Sequence, residues 1–322
     1  MRIARWETAG ETWEGFVVDD TVVPFPGGLT VADVLARGLD HTRNLFEQVD
    51  PASATRIEDV RLLAPVVPTS IRDFVAFEEH VEGMTADAEG VGHVPPEWYE
   101  APTFYFTNPH TVLGPDDVLQ PPVTQRLDFE LELAIVVGAA PGVGESNLSA
   151  ADSASVIFGY TIMNDWSARD LQMREMAVRL GPAKGKDFGT ALGPWIVTAD
   201  ELAPRLDDEG FLAIHAEVYV NGSRIGEDMI SNAGWPFPEF VAYASRSSRV
   251  VPGDVLGSGT VGNGGCLGEL WGRSGTVTPP PLIEGDQVRM IVEGIGDLVG
   301  TVGAPASVPD PAVARVRPRN RR

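Results

Sequence analysis

Three carboxylates alternate along the segment from Leu127 to Gly138, which reads LDFELELAIVVG. Asp128, Glu130 and Glu132 share one parity, and the residues between them are large and apolar. Because side chains alternate between the two faces of a β-strand, this pattern predicts a strand with a column of carboxylates roughly 7 Å apart. Such charges repel unless a cation lies over them, and no Lys or Arg occurs between Leu127 and Ser167. The pattern predicts a divalent-cation site; the alternative is an edge strand with a solvated acidic face.

Two other candidate residues stand at predicted turns. Asp165 follows an apolar run, and the spacing of Ser167 and Asp170 is that of a helix-capping pair, so Asp165 is placed at a strand-to-helix corner. Ligand-binding groups gather at such corners. Lys186 stands in a glycine-rich turn, from which a lysine can approach an anion closely. Taken alone, such an aspartate more often forms the turn, and such a lysine is more often only solvated.

His80 is the best candidate for proton transfer among the five histidines. The sequence predicts one helix from Ile71 to Met84, which would turn Asp73 and His80 towards a common side. Carboxylates near an imidazole can orient it and tune it for acid–base work near neutral pH. The helix rests on the spacing of Phe74, Phe77, Val81 and Met84.

The composition excludes several classes of protein. A net charge of −22 disfavours contact with nucleic acid or anionic lipid. The first fifteen residues lack an apolar signal core and no apolar run is long enough to span a membrane, so we expect a cytoplasmic protein. Cys266 is the only cysteine, which excludes an intrachain disulfide and a thiolate cage. No histidine is its neighbour in sequence, so a nucleophilic role is not expected.

Dispersed glycines and prolines, 35 and 26 in the 322 residues, predict many turns between short strands and a mainly β fold with some α (α+β). We predict a small β-rich N-terminal domain (1–64) with a helix over Thr30–Leu39, a main domain (65–305) and a basic, mobile tail (306–322). The segment from Gly90 to Tyr105 is interpreted as a lid. The tail carries Arg315, Arg317, Arg319, Arg321 and Arg322.

From about Leu63 to Gly303 the sequence resembles the fumarylacetoacetate hydrolase family. The resemblance implies that family's mixed β-sandwich roll as the catalytic domain, a small N-terminal domain before it, and a homodimer as the usual assembly. It rests on four motifs in order, which are Glu130-Leu131-Glu132, the string from Asn164 to Asp170, the string from Gly185 to Thr190, and Gly257-Ser258-Gly259-Thr260.

The resemblance also implies roles for individual residues. Oxygen ligands alone suit Mg²⁺, our first choice, or Ca²⁺ or Mn²⁺, better than zinc. His80 matches the general base and Glu269 the glutamate that orients it. The metal ligands correspond to Asp73, Glu130, Glu132 and Asp165, the residues on the substrate oxygens to Lys186 and Gln172, and the pocket wall to Tyr105 and Thr260.

The implied reaction is metal-assisted hydrolysis of a carbon–carbon bond in a 1,3-diketo acid, a small oxo-acid substrate such as an acylpyruvate. Alternatives are a metal-dependent decarboxylase, isomerase or hydratase/dehydratase acting through an enolate, and a metal-stabilised binding protein without catalysis. The family's fumarylacetoacetate hydrolases carry an arginine soon after the histidine, but Val81 to Tyr105 contains no Lys or Arg. Val75 and Met176 replace two tyrosines of that pocket, so we infer a different or less acidic substrate tail.

Overall fold

Short strands dominate the secondary structure, as the many turn-forming residues predict. The structure, a computed structural model, describes residues 1–87 and 89–317, so Arg319, Arg321 and Arg322 lie outside the described residues. The strands are β1 (Arg2–Thr8), β2 (Glu11–Val18), β3 (Thr21–Pro24), β4 (Thr55–Arg56), β5 (Arg61–Leu63), β6 (Ile71–Phe74), β7 (Phe104–Thr107), β8 (Val112–Leu113), β9 (Val118–Leu119), β10 (Leu127–Asp128), β11 (Leu131–Val137), β12 (Ile157–Asp165), β13 (Ser167–Ala168), β14 (Thr190–Thr198), β15 (His215–Val220), β16 (Ser223–Met229), β17 (Val255–Gly257), β18 (Gln287–Val292) and β19 (Gly296–Val302).

The helices are short and lie between the strands. Thr30 caps the first of them, and its hydroxyl and the Asp33 carboxylate form a reciprocal capping box, which confirms the helix predicted there. Among the residues that the structure describes, every helix is too short or too polar to cross a membrane. They are α1 (Val31–Arg37), α2 (Leu39–Phe46), α3 (Glu78–Met84), α4 (Ala150–Val156), α5 (Arg169–Met176), α6 (Ala199–Leu202), α7 (Phe237–Ser245) and α8 (Leu267–Ser274).

Two sheets carry the fold and confirm the predicted α+β class. The larger runs in the order β4-β3-β2-β1-β14-β12-β11-β17-β6-β7, with β5 beside β1 and β8 beside β14. The smaller runs in the order β16-β15-β18-β19-β9, and β10 pairs with β13 apart from both. β1 is hydrogen-bonded to β14, so one sheet contains strands from both sides of residue 64. The division into domains at that residue stays a prediction.

The predicted helix from Ile71 to Met84 is wrong in its first half. Ile71–Phe74 forms β6, which pairs with β17 on one side and β7 on the other, and helix begins only at Glu78. All four residues of β6 are buried, so the helical spacing of Phe74 and Phe77 reflects burial in two different elements. Asp73 and His80 still approach one site, because α3 follows β6 after three residues.

The continuous strand predicted from Leu127 is also wrong, since β10 ends at Asp128 and β11 begins at Leu131. At the break, the Glu130 N–H donates to the Asn164 side-chain carbonyl (3.1 Å). β11 lies between β12 and β17, and all its residues are buried. The alternative of an edge strand with a solvated acidic face is therefore wrong.

The corner at Asp165 is confirmed, because β12 ends at this residue and α5 begins at Arg169. The predicted capping pair is wrong. The Ser167 hydroxyl donates to the Asp165 carbonyl oxygen (2.9 Å), and the Asp170 carboxylate accepts the Gln125 N–H (3.2 Å). The segment interpreted as a lid ends in a strand, since Tyr105 belongs to β7, and the lid itself stays a prediction.

Candidate active site

Carboxylates from separate strands converge at the centre of the large sheet. Asp73 comes from β6, Glu132 from β11, and Glu130 from the break before β11. One carboxylate oxygen from each of the three lies within 4.8 Å of the other two. β17 runs between β6 and β11, and its Gly257 pairs with both strands. A Cβ on Gly257 would lie 2.7 Å from Glu132 Oε2 and 2.9 Å from Asp73 Oδ1, so the missing side chain makes room for the carboxylates.

Asp165 joins this cluster through two shared partners. The Tyr105 hydroxyl lies within hydrogen-bond distance of Asp73 Oδ2 (2.8 Å) and of Asp165 Oδ2. Lys186 Nζ donates to Asp165 Oδ2 (2.7 Å) and to Glu130 Oε2. Burial, with the Asp165 carboxylate next to it, raises the pKa of Tyr105 well above its usual value, so the phenol keeps its proton.

The carboxylates of this cluster differ in how far neighbouring cations neutralise them. Burial, together with the carboxylate of Asp165, raises the pKa of Asp73 well above its usual value, and burial beside Asp73 does the same to Glu132. Although burial opposes it, the cations of Lys186 and Arg169 lower the pKa of Glu130. The salt bridges from Lys186 and Arg169 therefore reach Glu130 and Asp165, whereas among the described residues none reaches Asp73 or Glu132.

Unpartnered oxygens show that the cluster fits a divalent cation. Asp73 Oδ1, Glu132 Oε1 and Asp165 Oδ1 are buried and have no hydrogen-bond partner among the described residues. A buried carboxylate oxygen without a partner is destabilising. A hard divalent cation binds oxygen ligands of this kind and would provide the missing partner. The four predicted metal ligands are thus brought together.

We expect Gly257→Ala to weaken binding of a divalent cation at least about tenfold, a loss comparable to that of a disturbed outer-shell partner at a metal site. The added methyl would displace the Glu132 and Asp73 carboxylates. Titration calorimetry with Mg²⁺ and Mn²⁺ measures the change. Gly181→Ala is the matched control, because its Cβ would meet nothing within 4 Å. Equal affinities for the two variants would contradict a cation site at this glycine.

His80 lies on α3 beside the packed α8. Its Nδ1 is 3.8 Å from Glu269 Oε2, longer than a hydrogen bond, and Glu269 is fully buried. Arg273 Nη2 is 3.0 Å from the other oxygen of Glu269. The helices approach closely because Gly83 and Gly272 face each other: a Cβ on Gly272 would lie 1.9 Å from the Gly83 carbonyl oxygen. The predicted base and its predicted orienting glutamate are therefore neighbours.

A cavity of about 690 Å³ opens beside the base. Among the predicted site residues, His80, Glu130 and Gln172 border it. Tyr105 and Thr260 are not among the described residues on its wall; Tyr105 contacts the carboxylates, and Thr260 is buried. The wall also contains Val75, Val81, Met84, Thr85, Ala86, Asp87, Arg126, Arg169, Met173, Met176, Gly268, Trp271, Gly272, Gly275, Thr276 and Val277.

Asp128 belongs to a different part of the site than predicted. Its carboxylate accepts the Nε–H of Arg169 (2.8 Å) and the N–H groups of Leu267 and Gly268 (2.8 Å each). Arg169 in turn donates through Nη1 to Glu130 Oε1 (2.7 Å). The expectation that a bound cation alone would neutralise the carboxylates of Asp128, Glu130 and Glu132 is therefore incomplete. Arg169 and Lys186 approach from beyond the segment that lacks cations.

We expect Asp128→Asn to lower the free energy of unfolding by about 3–5 kcal/mol, the cost of removing one partner from a buried ion pair. Arg169 would be left buried with one carboxylate fewer. Urea denaturation followed by circular dichroism measures the loss. Glu7→Gln is the control: it breaks the exposed pair with Arg61 and should change stability by less than about 1 kcal/mol. Similar losses for both variants would contradict the role given to Asp128.

Comparison with known proteins relates the chain to one enzyme family. The family model described as fumarylacetoacetate (FAA) hydrolase C-terminal matches residues 69–303. The fumarylacetoacetase of Arabidopsis thaliana is 32% identical over 298 residues, covering 76% of this chain and 70% of that protein. The oxaloacetate tautomerase YisK of Bacillus subtilis is 25% identical over 332 residues, covering 94% and 100%. A solved fumarylacetoacetate hydrolase from Exiguobacterium antarcticum is 27% identical with a TM-score of 0.72, covering 94% and 99%.

Proposed function

Because the chain belongs to the fumarylacetoacetate hydrolase family, whose members are enzymes, we propose that it is a divalent-metal-dependent hydrolase. Its substrate would be a 1,3-diketo acid, such as an acylpyruvate, cleaved at a carbon–carbon bond. The observation that carries the proposal is one cavity bordered by an imidazole, His80, and by Glu130 of a cluster with unpartnered carboxylate oxygens. This arrangement suits activation of water next to a polarised oxo acid.

The carboxylate cluster would hold the cation, with Mg²⁺ as our first choice and Mn²⁺ or Ca²⁺ as alternatives. When bound, such an ion polarises the oxygens of an oxo acid. The ligands would be Asp73, Glu130, Glu132 and Asp165. All four are buried, so the substrate would meet them with little competing water.

His80 would remove a proton from water, and the resulting hydroxide would attack the carbonyl that becomes the carboxylic acid product. The electrons of the broken carbon–carbon bond would pass to the neighbouring carbonyl as an enolate. Although burial opposes it, Asp165 and Glu130 raise the pKa of Lys186, which therefore keeps its positive charge near that enolate. Gln172, on the cavity wall, would orient the substrate oxygens through its amide.

A second candidate reaction is enolate chemistry on a 2-oxo acid, either tautomerisation or decarboxylation. One relative that aligns over its whole length is an oxaloacetate tautomerase. The deciding experiment assays an acylpyruvate and oxaloacetate in parallel, each with Mg²⁺ and with a chelator. Metal-dependent release of pyruvate from the acylpyruvate supports hydrolysis. Turnover of oxaloacetate alone would refute hydrolysis and favour the second reaction.

The substrate tail would lie against Met84, Met173 and Trp271 on the cavity wall, with Arg126 within reach of its far end. The segment after His80 lacks the arginine found in fumarylacetoacetate hydrolases, but Arg126 borders the same cavity and is exposed. Arg169 is already paired with Asp128 and Glu130. We therefore propose that Arg126 binds a second carboxylate on the substrate, as an alternative to the less acidic tail that the missing arginine suggests.

We expect Arg126→Gln to raise KM for an acylpyruvate that ends in a carboxylate by at least about tenfold, the value of one hydrogen bond to a charged group. KM for an acylpyruvate that ends in a methyl group should stay nearly constant, because that substrate has nothing for the guanidinium to bind. Steady-state kinetics on the two substrates measures the difference. Equal effects on both would contradict this role for Arg126.

We also propose the homodimer that the family resemblance implies. In its support, β7 is the outer strand at one end of the large sheet, and its Phe106 is 62% exposed. An open strand edge with an exposed aromatic residue favours association with another chain. Light scattering should give twice the mass of the chain; a single chain mass would refute the dimer.

A further inference from the structure

The only cysteine lies against the proposed base. Cys266 Sγ is 3.8 Å from His80 Nδ1, although the two residues are 186 positions apart in the sequence. The thiol is buried at the start of α8, where its sulfur accepts the Glu269 N–H (3.3 Å). One ring nitrogen of His80, the sulfur and one oxygen of Glu130 all lie within 4.8 Å of one another. These are three different ligand types around one point.

The spacing is close to that required around a tetrahedral zinc ion. With Zn–S near 2.3 Å and Zn–N near 2.0 Å, a sulfur and a nitrogen on one zinc lie about 3.5 Å apart. A fourth group is available, because Glu269 is fully buried and its Oε2, 3.8 Å from the same His80 nitrogen, has no hydrogen-bond partner among the described residues. Small rotations of these side chains would complete the coordination.

We propose that His80, Cys266 and Glu130, with Glu269 as a fourth ligand, form a second cation site that takes a soft divalent cation such as Zn²⁺ and inhibits the enzyme. Sulfur and nitrogen ligands select Zn²⁺ over Mg²⁺, whereas the Asp73–Glu132 side offers oxygen alone. Binding requires the thiol to lose its proton to solvent as the sulfur–metal bond forms. A His80 nitrogen bound to the ion can no longer accept a proton from water.

Glu130 is a member of both sites, so each cation would compete with the other for it. Zn²⁺ inhibition should therefore weaken as Mg²⁺ is raised. The cation-binding part of the inference is independent of the proposed reaction, and only the inhibition depends on it.

Cobalt(II) is the probe for the site, because a thiolate ligand gives Co²⁺ an intense near-ultraviolet charge-transfer absorption that oxygen ligands do not give. We expect this absorption in the wild-type protein titrated with Co²⁺ and its loss in Cys266→Ser, whose hydroxyl can still accept the Glu269 N–H. Asp73→Asn is the matched control: it alters only the oxygen site and should keep the absorption. Absence of the absorption from wild type would overturn the site, whether or not any substrate is turned over.

The inhibition is tested separately with Zn²⁺ at fixed Mg²⁺, each protein being compared with its own rate without zinc. We expect the inhibitory concentration to rise at least about tenfold in Cys266→Ser, as when a metal site loses a partner. Equal inhibition of wild type and Cys266→Ser, with both proteins folded by near-ultraviolet circular dichroism, would overturn the inhibitory role. If neither protein hydrolyses an acylpyruvate, the proposed function fails and the Co²⁺ result still decides the site.

Discussion

Replacing His80 by asparagine is expected to lower kcat for acylpyruvate hydrolysis about 10²- to 10⁴-fold, the usual contribution of a positioned general base. Asparagine keeps a polar side chain against Cys266 and Glu269 but cannot take a proton from water. Binding of Mg²⁺ should persist, because the cluster of Asp73, Glu130 and Glu132 does not include the imidazole. Steady-state kinetics and Mg²⁺ titration of the same preparation measure the two quantities.

Glu269→Gln is the companion variant for this prediction. Glu269 acts through His80, so the variant should lower kcat less than His80→Asn does and should change the pH profile of kcat. If His80→Asn turned over an acylpyruvate at the wild-type rate, water would be activated by another group and the proposed mechanism would be wrong. If both kcat and Mg²⁺ binding were lost, the variant would be disturbing the carboxylate cluster instead.

Glu132→Gln is expected to weaken divalent-cation binding at least about 100-fold while stabilising the metal-free protein at pH values above the raised pKa of Glu132. Burial and the neighbouring Asp73 raise the pKa of Glu132 well above its usual value, so its charge is unfavourable unless a cation is bound. The amide removes that charge together with one metal ligand. Thermal unfolding in chelator and in Mg²⁺ measures both effects: Mg²⁺ should raise Tm of the wild type and leave Tm of the variant unchanged.

The pH dependence of the metal-free protein gives an independent check. Since the pKa values of Asp73 and Glu132 are raised on folding, the folded protein binds more protons than the unfolded chain above the usual carboxyl pKa of about 4. Their contribution to stability is therefore present at low pH and lost as pH rises through the raised values. Wild type in chelator should show this loss and Glu132→Gln less of it. If the stability of the wild type relative to Glu132→Gln increased with pH in chelator, the raised pKa values of Asp73 and Glu132 would be contradicted.

The sequence predicts the chemistry of this site better than its geometry. The motifs around Glu130, Asp165 and Lys186 identify residues that the structure brings together. Each motif is a short segment that contains its own site residues, so it can be recognised without knowing the tertiary fold. The sequence predicts helix where strand β6 lies, since Phe74 and Phe77 have helical spacing and nothing in a single segment shows that β7 and β17 pair with it. Asp128 has the same parity as Glu132 in the sequence. However, the strand is interrupted for two residues between β10 and β11, and the Asp128 carboxylate contacts Arg169 instead of the carboxylate cluster.

Contacts between segments distant in the sequence are the other features that the sequence does not predict. Arg169 lies inside the motif from Asn164 to Asp170. Its place in that motif is the one feature of the sequence that indicates a functional role for it. No feature of the sequence indicates such a role for Cys266, because its contact with His80 arises only from the packing of α3 on α8. That packing depends on Gly83 and Gly272, and the sequence does not show that these two glycines face each other. Such pairs are set by tertiary packing between segments nearly two hundred residues apart.

The pairing of β1 with β14 has a consequence for any shortened form of the chain. The N-terminal residues Ile3, Phe16, Val34 and Leu35 are packed in one apolar cluster with residues of β11, β12 and β14, including Ala134, Val136, Phe158 and Leu192. β11 and β12 also bear Glu132 and Asp165. A fragment beginning at residue 65 would uncover this apolar layer and free the Ile196–Val197 edge of β14. It should self-associate and precipitate even though every proposed catalytic residue is retained.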